Sequence, residues 1–394
     1  MSPAATSEAE MLVVGGGPAG STAALLLARA GQDVLLVEQR QAKQGKVCGE
    51  FISAEGVAVL HSLGVLEELL ASGAQPIRNT RLQSVSGDSF DSSLPECGGQ
   101  SGLGVSRHLL DETLLAAAEQ AGARILRGAR LMGLRSEGAR WQSKILVEGI
   151  SICVLAPRIV GADGRNSQVA ALAGVPGSFT SPGIGVQIHL RRREAPPDRV
   201  DLLLLREGYA GLAPVETDRW CLAALLPLPA ATKDPYRRLQ SFLATHPRIH
   251  PLLENPENLL DHTAAYPVRA GLRGRTPPGI ILAGDAAGFL DPFSGQGIAM
   301  ALLGGEAAAR AVLDPSPSQG MRGYNTFLSR ELAPRMAVAA SLRRLLARPG
   351  WGDHLIRIFR HHPGLGRKVV GLTRIAGSPA MGSLQRLAGR FISP

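Results

Sequence analysis

The chain has 394 residues, 45% hydrophobic and 19% charged, with 47 glycines. That composition suits a soluble enzyme with one large or two interleaved domains. Aromatic residues, at 4%, are too few for a stacking platform for nucleic acid, and no apolar run reaches the ~18 residues that a bilayer span needs. The net charge of +9 sits in one place: residues 330–394 carry twelve Lys/Arg against two acids, whereas the rest carries 30 against 31. The four cysteines (Cys48, Cys97, Cys153, Cys221) show no CxxC and no metal-ligand spacing, so reduced thiols, no metal and a cytoplasmic setting are expected. No basic segment precedes the first apolar run, so no signal peptide is expected.

In chain order, Met11 to Val14 reads as a buried parallel strand. Gly15, Gly17 and Gly20 follow as GxGxxG. The first permits a tight turn, the second lets a pyrophosphate approach the backbone, and the third lets helix and strand pack closely. Ser21 to Ala30 is a helix of small and apolar residues stopped by Gly31. Val34 to Val37 is a second strand ended by Glu38, a carboxylate placed to bind the ribose hydroxyls of a dinucleotide. Ile159 to Gly161 is a further strand, followed by the turn Asp163-Gly164, which standing alone would be an ordinary surface turn.

Gly185 to Leu190, Asp201 to Leu205 and Trp220 to Leu226 read as strands of a sheet, and their Leu- and Ala-rich faces suit an apolar ligand. His189 on the first of these is expected at the surface or packed, not as a catalytic base. Ile280 to Ala283 is the last apolar strand. Asp285 then precedes Gly295 and Gly297, which open a small-residue helix whose N-terminus can face an electron-rich ligand. From residue 330 the chain reads as basic amphipathic helices: Leu342, Leu345 and Leu346 with Arg343, Arg344 and Arg348, then Leu355 to Arg360. Two readings stand: a cap packed on the nucleotide domain with its arginines in solvent, or contact with an anionic membrane surface or an acidic carrier protein.

GxGxxG, then Gly161-Ala162-Asp163-Gly164-Arg165-Asn166-Ser167, then the stretch Gly284 to Gly297, resemble in order and spacing the FAD-binding framework of class A flavoprotein monooxygenases. Their relatives include the geranylgeranyl reductases and flavin-dependent halogenases. The resemblance covers roughly residues 10–330. It implies an α/β fold: a glutathione-reductase-like Rossmann domain (1–80, 105–175 and 275–330), an inserted antiparallel β-sheet substrate domain (81–104 and 176–274), and C-terminal helices (331–394). It implies FAD as cofactor, with NAD(P)H as a transient electron donor, since no second GxGxxG is present.

Carried over by position, the resemblance places Gly15, Gly17, Ala19 and Gly20 at the pyrophosphate, and Glu38, Gln39 and Arg40 on the adenosine side. Arg107, at the head of the pattern Arg107, Leu110, Leu114, reaches the cofactor, and Ala129 lies by the adenine. Asp163 sits in the turn associated with both FAD and reduced nicotinamide. Gly284 and Asp285 face the ribityl chain or pyrophosphate, and Pro292, Gly295, Gly297 and Ile298 border the isoalloxazine ring. Cys48-Gly49 looks like the reductase branch, where it lies near the flavin; the other reading of Cys48 is a small buried residue.

The branch is mixed. Tyr209 and Pro214 match a reductase motif, but Gly211 and Ala213 replace its Trp and Phe. Pro292 to Gly297 is close to the hydroxylase pattern Pro-x-x-Gly-Gln-Gly, yet Gly288 replaces the His of many hydroxylases. The expectation is NAD(P)H-dependent hydroxylation of a hydrophobic secondary metabolite such as an aromatic polyketide. Reduction of an isoprenoid or other alkene is the alternative, and a halogenase or electron-transfer flavoprotein a third. No acid or base is assigned; Cys48, Tyr209 and Pro292 are the candidates.

Overall fold

The computed structural model describes residues 6–41, 46–180, 183–192, 194–205, 208–227, 237, 259–346 and 350–372. The expectations placed on residues 228–258, apart from 237, and on the tail after 372 lie outside the described residues.

A five-stranded parallel sheet runs Ile280–Leu282, Arg158–Gly161, Met11–Val14, Val34–Glu38, Arg124–Arg127. Its strands are continuous apolar runs because both faces are covered. Leu12, Val13, Leu36 and Val160 are fully buried. One face packs on the helices Pro18–Arg29, Arg107–Gln120 and Gly297–Leu313. The other packs on a meander of Ala129–Glu137, Arg140–Val147 and Ile150–Ala156. Every strand of the parallel sheet ends on the same side as Val14 and Glu38, so the turns that follow are brought to one rim.

The second large sheet has seven strands, in the order Leu259–Val268, Gly183–Arg191, Arg219–Pro227, Tyr209–Pro214, Arg199–Leu204, Asn79–Gln83, Ser89–Ser93. The three expected strands are all present in it. The expectation of a purely antiparallel sheet is corrected at one place, where Arg199–Leu204 pairs parallel with Asn79–Gln83. These two strands come from distant parts of the chain, so no hairpin dictates their direction. Gly183–Arg191 shows strand alternation with both faces covered. Ile184, Val186, Ile188 and Leu190 enter the sheet's own core. Gln187 and His189 share the opposite face and are equally buried. His189 is therefore packed, and the surface alternative is ruled out.

The first C-terminal helix packs on the nucleotide domain, as a cap would, and the second does not. Arg335, in Ala333–Leu346, reaches the sulfur of Met300 in the helix Gly297–Leu313. The next helix, Trp351–His361, instead lies on the hairpin Asn79–Ser93 of the seven-stranded sheet. Phe359 packs on Phe90 with ring centroids 5.5 Å apart. Arg357 and Arg360 both pair with Asp88, and the Ser86 hydroxyl donates to Asp353. These two arginines share one acid, and more than half of each side chain stays in solvent. The side chains of Arg343 and Arg344, and residue 348, lie outside the described residues. Among the described residues no helix is long and apolar enough to cross a membrane.

Candidate cofactor and substrate site

Two cavities meet at the rim of the parallel sheet. One is lined by Gly15, Gly16, Gly17, Glu38, Gln39, Arg40, Ala129 and Asp163. The other is lined by Cys48, Gly49, Tyr209, Pro292, Gly295, Gly297 and Ile298. Gly17, Lys46, Arg107, Ala162, Gly164 and Arg165 line both, so the two form one trough with a cationic middle.

The near end is built from the turn after Met11–Val14. Gly15 has φ +104°, which only glycine adopts at little cost. A Cβ on Gly20 would fall 1.8 Å from the Gly15 carbonyl oxygen. Helix Pro18–Arg29 can therefore start directly against the strand, with its N-terminal end at the trough. The Glu38 carboxylate is fixed by two backbone donors, Gly16 N–H at 2.7 Å and Arg40 N–H at 3.0 Å. A carboxylate has about four acceptor sites, so hydroxyl partners can still be taken. Asp163 accepts from the Ser167 hydroxyl and from the N–H groups of Gln168 and Val169, which caps the short helix Gln168–Leu172. Burial raises the Asp163 carboxyl above its usual range, and these donors oppose the rise.

In the middle, Arg107 makes a paired contact to Asp111, at 3.0 and 2.8 Å. Burial works against its charge, but Asp111, Cys48 and Asp285 outweigh it, so the guanidinium is held above its ordinary pKa. Lys46 is pushed down by its enclosure and then by Arg107, while Asp285, 3.9 Å away, pulls it up. Arg165 is lowered by burial.

At the far end, Asp291 caps the one-turn helix Pro292–Ser294 by accepting the Phe293 N–H. Gly295 follows at φ +62°, and the fully buried Gln296 donates to Glu55 at 2.8 Å. Helix Gly297–Leu313 then opens onto the trough. The roof comes from the seven-stranded sheet: Val200, Leu202, Tyr209, Gly211, Ala223 and Leu225. A Cβ on Gly211 would meet nothing within 4 Å. Burial pushes the Cys48 thiol up, and Arg107 opposes this only in part.

With this geometry in view, the comparisons are direct. The chain matches the family described as "FAD binding domain" over residues 8–303. The chain belongs to this family of FAD-binding proteins. A menaquinone reductase of Mycolicibacterium smegmatis is 27% identical over 366 residues, covering 87% of this chain and 86% of its own. A 6-methylpretetramide 4-monooxygenase of Streptomyces rimosus is 29% identical over 371 residues, covering 87% and 81%. Digeranylgeranylglycerophospholipid reductases are among the other relatives. The solved structure of the flavin-dependent brominase Bmp2 superposes with a TM-score of 0.78 at 18% identity, covering 98% of this chain and 99% of that one, which shows the fold. The chain is an FAD-dependent oxidoreductase of mixed α/β fold, as its motifs implied.

The trough fits FAD. Three cations crowd its middle, and two of them are held below their ordinary pKa by enclosure. A pyrophosphate would add negative charge beside these cations, next to the N-terminus of Pro18–Arg29, which has no acid in its first turn. All but two of the expected cofactor residues line the trough. The exceptions are Gly20, which packs behind it, and Gly284, whose missing Cβ makes room for Ala19. Gly288 is small for a packing reason as well: a Cβ would lie 2.5 Å from Leu272.

Lys46, Arg165, Asp291 and Gln296 were not singled out from the sequence. Arg165 and Gln296 stood inside quoted motifs and could have been. Lys46 carries no motif signal. The scattered cysteines also hide a cluster: among the described residues, ligand atoms of Glu50, His189 and Cys221 lie within 4.8 Å of one another.

Proposed function

We propose that the chain hydroxylates a hydrophobic, multi-ring metabolite, with FAD along the trough and NAD(P)H as a transient electron donor. In this reading Glu38, Gln39, Arg40 and Ala129 hold the adenosine end. Gly15, Gly17, Ala19, Arg107 and Asp163 hold the pyrophosphate region with Lys46 and Arg165. Asp285 lies towards the ribityl chain, and Pro292, Gly295, Gly297 and Ile298 border the ring. The nucleotide unit comprises residues 1–80, 105–175 and 275–330, and the seven-stranded sheet supplies the substrate roof. Four free thiols favour a cytoplasmic setting.

The observation that carries the reading is the roof of the far cavity. It is mostly apolar, with Thr80, Asp201 and Tyr209 as its polar members, and at Gly211 it is open where a side chain would otherwise descend. A flat fused-ring substrate fits under such a roof. When bound, the flavin supplies the redox chemistry. The chain's own part is to hold substrate against the Pro292–Ser294 turn, to exclude water with Val200, Leu202 and Leu225, and to keep that turn fixed through Tyr209 and Asp291. The monooxygenase relative, named for a fused-ring substrate, supports this reading.

One observation favours reduction of a double bond instead. The Cys48 thiol lines the same cavity and is kept protonated by burial, so it could give a proton to a substrate carbon. Turnover of NADPH with a polyhydroxylated anthraquinone probe, run in air and under argon, separates the two. Hydroxylation predicts product only in air; an equal yield under argon of a product gaining two hydrogens would support reduction.

A further inference from the structure

Behind the Cys48 turn lies a group of ionisable side chains that do not line the trough. Glu50 is 2% exposed, and its backbone has φ 52°, a conformation that costs a non-glycine residue roughly 1 kcal/mol. Its Oε1 accepts the Arg107 N–H at 2.8 Å, and its Oε2 lies 2.7 Å from His189 Nε2. The other ring nitrogen, Nδ1, lies 2.6 Å from Asp261 Oδ1. A neutral imidazole carries one N–H, so a ring with a carboxylate oxygen at each nitrogen satisfies both only as the imidazolium.

Of the groups around the ring, the two carboxylates favour that charge, and two N–H donors stand against it. Arg219 donates to Asp261 Oδ2 at 2.6 Å and stands 3.1 Å from Nδ1. The Gln187 amide is 3.2 Å from Nε2 and 3.5 Å from the Cys221 sulfur. The Cys221 thiol donates to the Cys48 carbonyl at 3.3 Å, and the Cys48 sulfur accepts the Glu50 N–H at 3.4 Å. Burial alone would push the His189 pKa down. The contacts to Glu50 and Asp261 outweigh burial and the opposing Arg219, so it lies above its ordinary value.

We propose that the His189 imidazolium, gripped between Glu50 and Asp261, is a clasp that holds the Cys48-Gly49-Glu50 turn against the flavin end of the trough. His189 is then a positioning residue. Its two carboxylate partners are 139 and 72 positions away, so the clasp ties the seven-stranded sheet to the segment beside the cofactor. Without the cation one ring N–H remains for two carboxylates, so either Glu50 or Asp261 loses its partner, and at the buried Glu50 that loss is costly enough to move the turn. A raised histidine pKa fixes the direction with pH. The clasp is complete below the ordinary value of about 6.5 and is lost as pH rises through the raised one. While it is protonated at both nitrogens His189 has no lone pair to offer a metal, so the clasp and a metal held with Cys221 exclude each other.

The test follows Cys48 alkylation by iodoacetamide in the full-length chain, with and without FAD, resolved by peptide mass spectrometry. The buried Cys97 serves as the internal reference. In the native chain the Cys48-to-Cys97 rate ratio should stay low and then rise about tenfold at a step above pH ~6.5. His189→Asn should show the high ratio at every pH and bind FAD about tenfold more weakly. Asp261→Asn, at a half-exposed position, should keep the step but move it to lower pH. The proposal is overturned if Cys48 ratios and FAD affinity in both variants match the native chain at every pH. Equimolar zinc in the native chain, lost in His189→Asn, would also overturn it. Should His189→Asn fail to fold, the Asp261→Asn step alone decides: no shift contradicts the clasp.

Discussion

The Tyr209 hydroxyl donates to Asp291 Oδ1 at 2.7 Å, joining the roof of the cavity to the turn that carries Pro292. The same Asp291 oxygen accepts the Phe293 N–H, and the Phe293 ring meets Tyr209 edge-on with centroids 5.1 Å apart. The turn is thus held from above and from within. Tyr209→Phe keeps the ring contact and removes the hydroxyl. A hydrogen bond to a buried carboxylate contributes about 1.5–3 kcal/mol, so the variant should unfold at lower urea by a corresponding amount. FAD should still bind, since Tyr209 lies on the roof. Urea titration and flavin fluorescence check the two parts.

Gly211→Phe tests the open roof. A side chain there meets no atom at its Cβ, and glycine within a strand is itself unfavourable. Stability should therefore change by less than about 1 kcal/mol. FAD affinity should stay the same, while a multi-ring probe should bind about tenfold more weakly because the added ring takes its space. Fluorescence quenching by a hydroxylated anthraquinone measures this. Equal probe affinity would place the substrate elsewhere.

Gly20→Ala tests the turn that starts the first helix. The added methyl would lie 1.8 Å from the Gly15 oxygen, so the helix must move away from the strand. The variant should purify with little flavin absorbance, at a stability loss of about 1–3 kcal/mol or more. A fully yellow protein would contradict the reading of this turn.

Arg107→Ala leaves Asp111 without its two-point partner, and Asp111 is only 9% exposed. Removing one member of a buried pair costs about 3–5 kcal/mol. Arg107→Lys should recover only part, because an ammonium cannot make the fork-shaped contact. Urea unfolding of the apoprotein measures the stability loss, and FAD titration should show weaker binding in both variants.

Much of the parallel sheet was legible because strands covered on both faces read as unbroken apolar runs, as Met11–Val14 does. The near end of the trough was legible because glycine at 15 and 20 answers to geometry local in sequence. The clasp was not, because Glu50 and His189 lie 139 residues apart and each looks ordinary in its own segment. The docking of Trp351–His361 on Asp88 and Phe90 was hidden for the same reason. Amphipathicity shows that a helix has an apolar face but not what covers it. The parallel pairing of Arg199–Leu204 with Asn79–Gln83 also depends on a chain crossing that no local signal records.

The central claim is that substrate under the Gly211 roof is hydroxylated with molecular oxygen. Mass spectrometry of product formed under 18O2, with NADPH and a hydroxylated anthraquinone probe, tests it most directly. The account predicts one heavy oxygen atom in each product molecule. Product that carries no label, or that gains two hydrogens in place of oxygen, would contradict it.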